Sequence, residues 1–473
     1  MAKATRAGAP AEVAEEYLGA KLGDARLDAR LVSSAEMMSA KPDSSFPKAA
    51  ANDAELEATY RFLNNERVSP SAILAPHVRQ TVRRASACET VVVAHDTTEF
   101  SFGASRRSDL GPVAQGESYG FFGHFALAVE ASEARTPLGV VAHEMLRREV
   151  KKKTAAKKTK KADPSNEFHR WGRVVEEAQT TLAAVHPIHV MDREADSYDL
   201  MARLADAGTR FVIRLSQSTR RVATEPVSVG EILERAHTKA HRDVPITARA
   251  RSPLPTQRKR YPQRDARNAH LEMSATTVTV MRPHSSEANQ PKSLTLNVVR
   301  VFEPKPPEGE SPVEWRLWTT EPVNTEAEIL AVVDAYRCRW RIEEFFKALK
   351  TGCAVEKRQL ESYRGLVNTV ALMAPVAWRL LRLRTLARDQ GHLPATHALT
   401  PRQLLCLAAA LRKRGRPPLP ESPSVRDAML GVAGLGGHIR NNGEPGWIVL
   451  GRGLDDLLLI ELGFLLAKDG AEM

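Results

Sequence analysis

The sequence predicts a mixed α/β protein, with a β-rich insertion in its middle and helical segments at both ends. Three observations predict it. Two short, largely apolar runs, Val91-Val92-Val93-Ala94 and Ile188-His189-Val190-Met191, each lead into an aspartate, as buried strands do when they deliver a polar group. Segments with helical spacing of apolar residues separate and follow these runs. From 217 to about 320 that rhythm stops, and the chain becomes rich in Arg, Thr, Val and Pro with two alternating stretches.

The elements follow in order. Leu22 to Met38 reads as a helix, with Arg26 and Arg30 on one face. Ala58 to Leu63 reads as another, ended by Asn64-Asn65. Val91 to Ala94 is a strand ending at His95-Asp96, and Phe121 to Glu130 and Leu138 to His143 are further strands. A lysine-rich run follows, with seven lysines between Lys151 and Lys161, read as a solvated loop. A helix from Glu167 to Ala184 precedes the strand 188–191, which ends in Asp192. A helix from Ser197 to Ala207 leads to the strand Phe211 to Leu215. In the insertion, Ala275 to Met281 and Ser293 to Val301 alternate, and the basic tract Arg258-Lys259-Arg260 would suit a phosphate backbone. One long helix is expected from Thr325 to Lys350. The rest is helical, except for a glycine-punctuated, loop-like segment from Met429 before a last helix, Leu454 to Lys468.

The bulk numbers bound the function. The chain has 473 residues, enough for two or three domains, and 42% hydrophobic and 26% charged residues, ordinary for a globular protein. Lys and Arg outnumber Asp and Glu by 68 to 57, for a net charge of +11, which favours a polyanionic partner. Four cysteines without a C-x-x-C pair exclude a zinc finger or disulfide framework and fit a reducing compartment. The N-terminus lacks a signal-peptide core, and apolar stretches such as Leu457 to Ile460 are too short to span a bilayer, so the cytoplasm is expected and no membrane partner.

The chemistry concentrates on acids. Asp96 and Asp192, each delivered by a strand, could hold Mg²⁺ together with one more carboxylate. The expected helix supplies it. With Tyr336 at zero and about 100° per residue, Arg339 falls at roughly −60°, Glu343 at roughly −20° and Lys350 at roughly −40°. Ile342, Phe345, Phe346 and Leu349 form the buried face, and Glu344 falls at about +80°, which favours Glu343 as the ligand. An exposed i,i+4 ion pair would use the same Arg339 and Glu343, but it does not call for a stripe that also holds Tyr336 and Lys350.

Tyr336, Arg339, Glu343 and Lys350 stand in the spacing Y-x2-R-x3-E-x6-K, within YRCRWRIEEFFKALKTG (336–352). With HDTTEF (95–100) and DREADSY (192–198), this segment resembles the DDE transposases of bacterial insertion sequences, in the group that cuts and pastes through DNA hairpin ends. The likeness extends to LGDARLDARL (22–31), ATYRFL (58–63) and WRLWTTEPV (315–323).

The resemblance implies a ribonuclease-H-like core at 71–370 carrying the β-rich insertion. It implies a helical DNA-binding domain at 1–70 and a helical dimerisation domain at 371–473. By residue, it implies Asp96, Asp192 and Glu343 as ligands of two Mg²⁺ ions, with Mn²⁺ able to substitute. Tyr336, Arg339 and Lys350 would hold phosphates, and Trp315 would stack in place of a flipped base. Arg26, Arg30, Arg61 and the 258–260 tract would contact DNA. The expected partners are double-stranded DNA, as transposon ends and target, and a second copy of the chain. The expected reaction is nicking, hairpin formation and joining of 3′-OH ends in a bacterial, nucleoid-associated setting. A non-cleaving regulator and a nuclease without strand transfer are the alternatives.

Overall fold

The computed structural model describes residues 13–471 except 104–106, 115–116, 149–165, 250, 252–257, 259–261 and 440–442. The lysine run 151–161 and Lys259 and Arg260 therefore lie outside the described residues. The elements in chain order are α1 (Ala25–Ala40), α2 (Phe46–Ala49), α3 (Asp53–Asn64), α4 (Pro70–Ala85), β1 (Val91–Ser101), β2 (Gly111–Val113), β3 (Ser118–Glu130), β4 (Pro137–Leu146) and α5 (Arg170–Thr181). Then come β5 (Ile188–Met191), α6 (Tyr198–Asp206), β6 (Arg210–Arg214), α7 (Val229–Arg235), β7 (Thr238–Ile246), β8 (Arg267–Met281), β9 (Ser293–Phe302) and β10 (Glu314–Thr319). The last are α8 (Glu326–Arg337), α9 (Trp340–Lys347), α10 (Tyr363–Asp389), α11 (Pro401–Lys413), α12 (Val425–Leu435) and α13 (Trp447–Ala471). This is the mixed α/β fold expected, with a sheet and helices at both ends, and it is consistent with a ribonuclease-H-like core.

The chain forms two compact units. One takes in Met1–Lys158, Arg173–Pro187 and Cys338–Met473, the other Thr159–Gly172 and Ile188–Arg337. In the first unit β3 is the central strand. It pairs antiparallel with β1 from Val91↔Glu130 to Ser101↔Gly120, and also with β4 and β2. One face is covered by α5 and the turn after it, whose Val174, Ala178 and Leu182 recur at four-residue spacing. They pack on Val91, Val93, Ala126, Ala128, Val141 and Ala142, where small alanines let the helix approach closely.

Helix α10 is the core of the helical part. It is long and apolar enough to cross a membrane by length and composition, but 89% of its apolar window is buried inside the protein. This corrects the expectation that every apolar stretch is too short, and burial marks α10 as a core helix. It is tied to the N-terminal segment: Asn368 Nδ2 donates to the Leu63 carbonyl at 2.8 Å and Tyr17 Oη donates to the Leu372 carbonyl at 2.5 Å.

In the second unit β5 and β6 are parallel (Val190↔Val212), and β6 continues antiparallel through β10, β9, β8 and β7. The β-rich segment thus extends the sheet that β5 and β6 begin, and it also contains the helix α7, which its composition did not announce.

Two expectations are corrected. The long helix 325–350 is interrupted by a turn at Cys338-Arg339 and ends in a π-helical turn, Ala348–Gly352. The segment from Met429 is not loop-like up to Leu435, because Gly431 and Gly434 lie within α12. Its glycines serve close packing. A Cβ on Gly436 would lie 1.9 Å from the Val449 carbonyl, and one on Gly453 1.7 Å from the Val432 carbonyl, so α12 and α13 cross with backbone against backbone.

Candidate active site

The site in the first unit starts from the alternation of β1. Asp96 stands opposite Phe125 in the β1–β3 register, so the two share one face of the sheet. On that face the Phe125 ring meets Phe345 at 5.7 Å and Phe346 at 5.9 Å, both edge-on. These contacts seat α9 over β1. They bring Arg339, which caps the start of α9, within reach of both acids. Its Nη1 donates to Asp96 Oδ2 at 3.3 Å and its Nη2 to Glu343 Oε1 at 2.6 Å. The guanidinium side chain is 7% exposed, against 20% for Asp96 and 33% for Glu343. A buried, forked cation between two half-open carboxylates is a charge-assisted arrangement with defined geometry.

Asp96 is not at the end of its strand, as expected, because β1 runs on to Ser101. That extension matters for Lys350. The π-turn carries Lys350 Nζ over the Phe100 ring at 5.4 Å. Its ammonium donates to the Glu99 carbonyl and lies 3.4 Å from Glu356 Oε1, which in turn accepts from the Ser101 amide at 2.9 Å. Lys350 is thereby held along the strand that bears Asp96, by a turn wider than the α-helical wheel assumed.

Glu344 belongs to a different network. It accepts from Arg341 at 2.8 Å and Arg388 at 2.9 Å, and Arg341 also reaches Asp389 at 2.5 Å. Burial pushes the Glu344 carboxyl up, but Arg341 and Arg388 more than offset it and hold it below the usual carboxylate range.

The second unit holds the other candidates. Asp192 follows β5 and caps the 3₁₀ turn Arg193–Ala195, its Oδ1 accepting from the Glu194 amide at 2.8 Å. Tyr336 is buried near the end of α8, and its ring meets the half-buried Trp315 edge-on at 5.4 Å. Of the DNA-contact candidates, Arg26 is exposed and paired with Asp24 at 3.0 Å, and Arg61 is exposed and paired with Glu57. Arg30 and Arg258 are half-buried.

Sequence reasoning passed over Trp340. Its indole is 46% exposed, and Arg339 Cζ sits 5.1 Å from the ring centre. The signal was present: at roughly +40° on the wheel this large aromatic lies off the buried face. Of the two residues that position Lys350, Glu99 was marked only as part of HDTTEF (95–100), and Glu356 carried no sequence signal.

Asp96, Asp192 and Glu343 present only oxygen, the donor type that hard divalent cations take. Asp96 and Glu343 already converge on one cationic group, so positive charge is favoured between them.

Residues 11–68 match the family model described as transposase DNA-binding, and residues 161–377 match the transposase DDE domain. The first match contains Arg26, Arg30 and Arg61. The second contains Asp192, Trp315, Tyr336, Arg339, Glu343 and Lys350, while Asp96 precedes it. Among solved structures, the chain is similar at 10% identity and a TM-score of 0.33 to a piggyBac transposase, seen as a synaptic complex with hairpin DNA. That match covers 78% of this chain, which spans 63% of the length of the other. Two segments of this chain are thus similar to the DNA-binding domain and the DDE domain of transposases.

Proposed function

We propose that this chain is a magnesium-dependent cut-and-paste transposase of the hairpin-forming group with the Tyr-Arg-Glu-Lys pattern. The observation that carries the reading is the Arg339 fork, which gathers Asp96 of β1 and Glu343 of α9 at one point. Asp96, Asp192 and Glu343 would hold two Mg²⁺ ions, with Mn²⁺ as substitute. Bound there, the metal supplies charge neutralisation and Lewis acidity for phosphodiester chemistry.

The chain's own residues position the DNA. Arg339 stands between Asp96 and Glu343, and Lys350 is held along β1; with the Tyr336 hydroxyl they would hold phosphate oxygens. Trp315 would stack on a base left without its partner at a hairpin, and the open indole of Trp340 offers a further stacking surface. Arg26, Arg30, Arg61 and the 258–260 tract would contact the terminal inverted repeats. Residues 1–70 would be the DNA-binding domain, 71–370 the catalytic domain and 371–473 the dimerisation domain of a homodimer on DNA, in a bacterial nucleoid.

The reaction would be four in-line displacements at phosphorus. Water attacks one strand and a 3′-hydroxyl leaves. That hydroxyl attacks the opposite strand, closing a hairpin as the flanking oxygen departs. Water reopens the hairpin, and the freed 3′-hydroxyl attacks target DNA. Each step forms one P–O bond and breaks one, so a single site can serve all four.

The test is incubation of the full chain with Mg²⁺ and DNA bearing its element's terminal repeats. Nicked, hairpin and target-joined products should appear in that order, and Asp192→Ala should remove all three. Joined product without a hairpin would place the chain outside the hairpin group. Wild-type protein that binds the repeats but never nicks them would mark a non-cleaving regulator.

A further inference from the structure

Strand β7 forms the edge of the second unit's sheet, and with β8 it presents a polar face. The register sets His241 opposite Glu272 and Asp243 opposite His270. Residues two apart on a strand share a face, and so do directly opposed ones, so all four side chains stand together. The ligand-capable atoms of His241, His270 and Glu272 lie within 4.8 Å of one another. The two imidazoles are nearly parallel, with centroids 5.6 Å apart and an interplanar angle of 24°. Both histidines are exposed and Glu272 is half-buried.

The surrounding contacts orient these groups. His270 Nδ1 lies 2.7 Å from Asp243 Oδ1, which favours the tautomer protonated at Nδ1 and leaves the Nε2 lone pair outward. Thr238 Oγ1 donates to Glu272 Oε2 at 2.7 Å and steadies that carboxylate while its second oxygen remains for a ligand. A histidine backed by a carboxylate, a second histidine across the strand pair and an oriented glutamate make a three-ligand set with room for water in the fourth position.

We propose that His241, His270 and Glu272 bind one divalent transition-metal ion, with Zn²⁺ the best fit, and that Asp243 positions His270. Two imidazoles and one carboxylate select a borderline ion, unlike the all-oxygen acids of the catalytic residues. Zinc bonds of about 2.0–2.2 Å require the ligand atoms to draw closer than they now stand, which exposed histidine side chains can do by rotation. The ion would clip edge strand β7 to β8, independently of catalysis, and stabilise the unit in proportion to its occupancy.

The experiment is calorimetric titration of the full chain with Zn²⁺ in excess Mg²⁺, which masks oxygen-only sites. One equivalent should bind to wild type and to the Asp96→Ala/Glu343→Ala double variant. It should be lost in His241→Ala/His270→Ala and weakened about 10–100-fold in Asp243→Asn. Far-UV circular dichroism checks folding, and Glu272→Gln, the mildest change, should also weaken binding should the double variant misfold. Wild-type protein that takes up no Zn²⁺, or uptake unchanged by the histidine and Glu272 substitutions, overturns the proposal. Loss of DNA cleavage does not bear on it.

Discussion

The Arg339 guanidinium and the Glu343 carboxylate lie 2.6 Å apart across one turn of chain, and the same guanidinium reaches Asp96 on β1 at 3.3 Å. The fork thus joins a helix to a strand through two acids. Replacing it with alanine removes the cation that the two acids share. Arg339→Ala should melt at a lower temperature than wild type without metal, and added Mg²⁺ should raise its Tm by more. Arg339→Lys keeps the charge but not the fork, so cleavage of terminal-repeat DNA should fall by about 10²-fold or more in both variants. Wild-type cleavage by the lysine variant would show that charge alone suffices.

Neighbouring glutamates should separate chemistry from stability. Glu343→Gln should lose DNA cleavage by several orders of magnitude with little change in the unfolding midpoint. Glu344→Gln removes a partner from Arg341, whose side chain is 3% exposed, and should destabilise by about 1–3 kcal/mol while the folded fraction still cleaves. Denaturant titrations beside cleavage rates read out both; the opposite assignment of effects would exchange the roles of the two residues.

The seat of α9 on the sheet should be measurable at Phe345, which is fully buried against Phe125. Phe345→Ala should cost about 3–5 kcal/mol and lower cleavage, since Arg339 and Glu343 depend on that seat. Phe345→Leu should retain most of both. Equal losses in the two variants would mean that the ring's shape, rather than its volume, holds the helix.

Acid should unfold the protein through neutral buried histidines. Burial pushes His143 down to about 4 and His189 to about 3, from an ordinary 6.5. Between those values and 6.5 the unfolded chain binds protons that the native state refuses, so this stability is complete above pH 6.5 and falls as pH drops. For His143 the loss by pH 4 is on the order of 3 kcal/mol. Melting temperature followed from pH 7.5 to 5 should decline, and His143→Leu should flatten the decline. A wild-type Tm independent of pH over that span would refute the account.

The crossing of α12 and α13 tolerates no side chain at Gly453, where a Cβ would lie 1.7 Å from the Val432 carbonyl. Because the obstacle is backbone, Gly453→Ala should destabilise by at least about 2 kcal/mol, whereas Gly463→Ala, in the same helix with open space around it, should stabilise by up to about 1 kcal/mol. Thermal melts of the two variants decide it.

Much of this was legible in the residues. The apolar runs before Asp96 and Asp192 announced β1 and β5, because a strand buried on both faces needs continuous apolar side chains. The Y-x2-R-x3-E-x6-K spacing set Arg339 and Glu343 four residues apart, and these two pair; its extension to Tyr336 and Lys350 assumed one unbroken α-helix, which the turn at Cys338-Arg339 and the π-turn replace. The domain matches at 11–68 and 161–377 support the same class of protein.

What the tertiary structure alone decided lies where distant segments meet. The break at Cys338-Arg339 and the π-turn at Ala348–Gly352 violate a periodicity that the sequence itself does not interrupt; they coincide with α9 docking on Phe125 and Lys350 reaching Glu99. The glycines after Met429 looked like a loop because close helix crossing and chain flexibility call for the same residue. The pairing of Arg339 with Asp96 joins residues 243 positions apart. Spacing along one chain fixes directions within an element, but only packing between elements brings two elements' charges to one point.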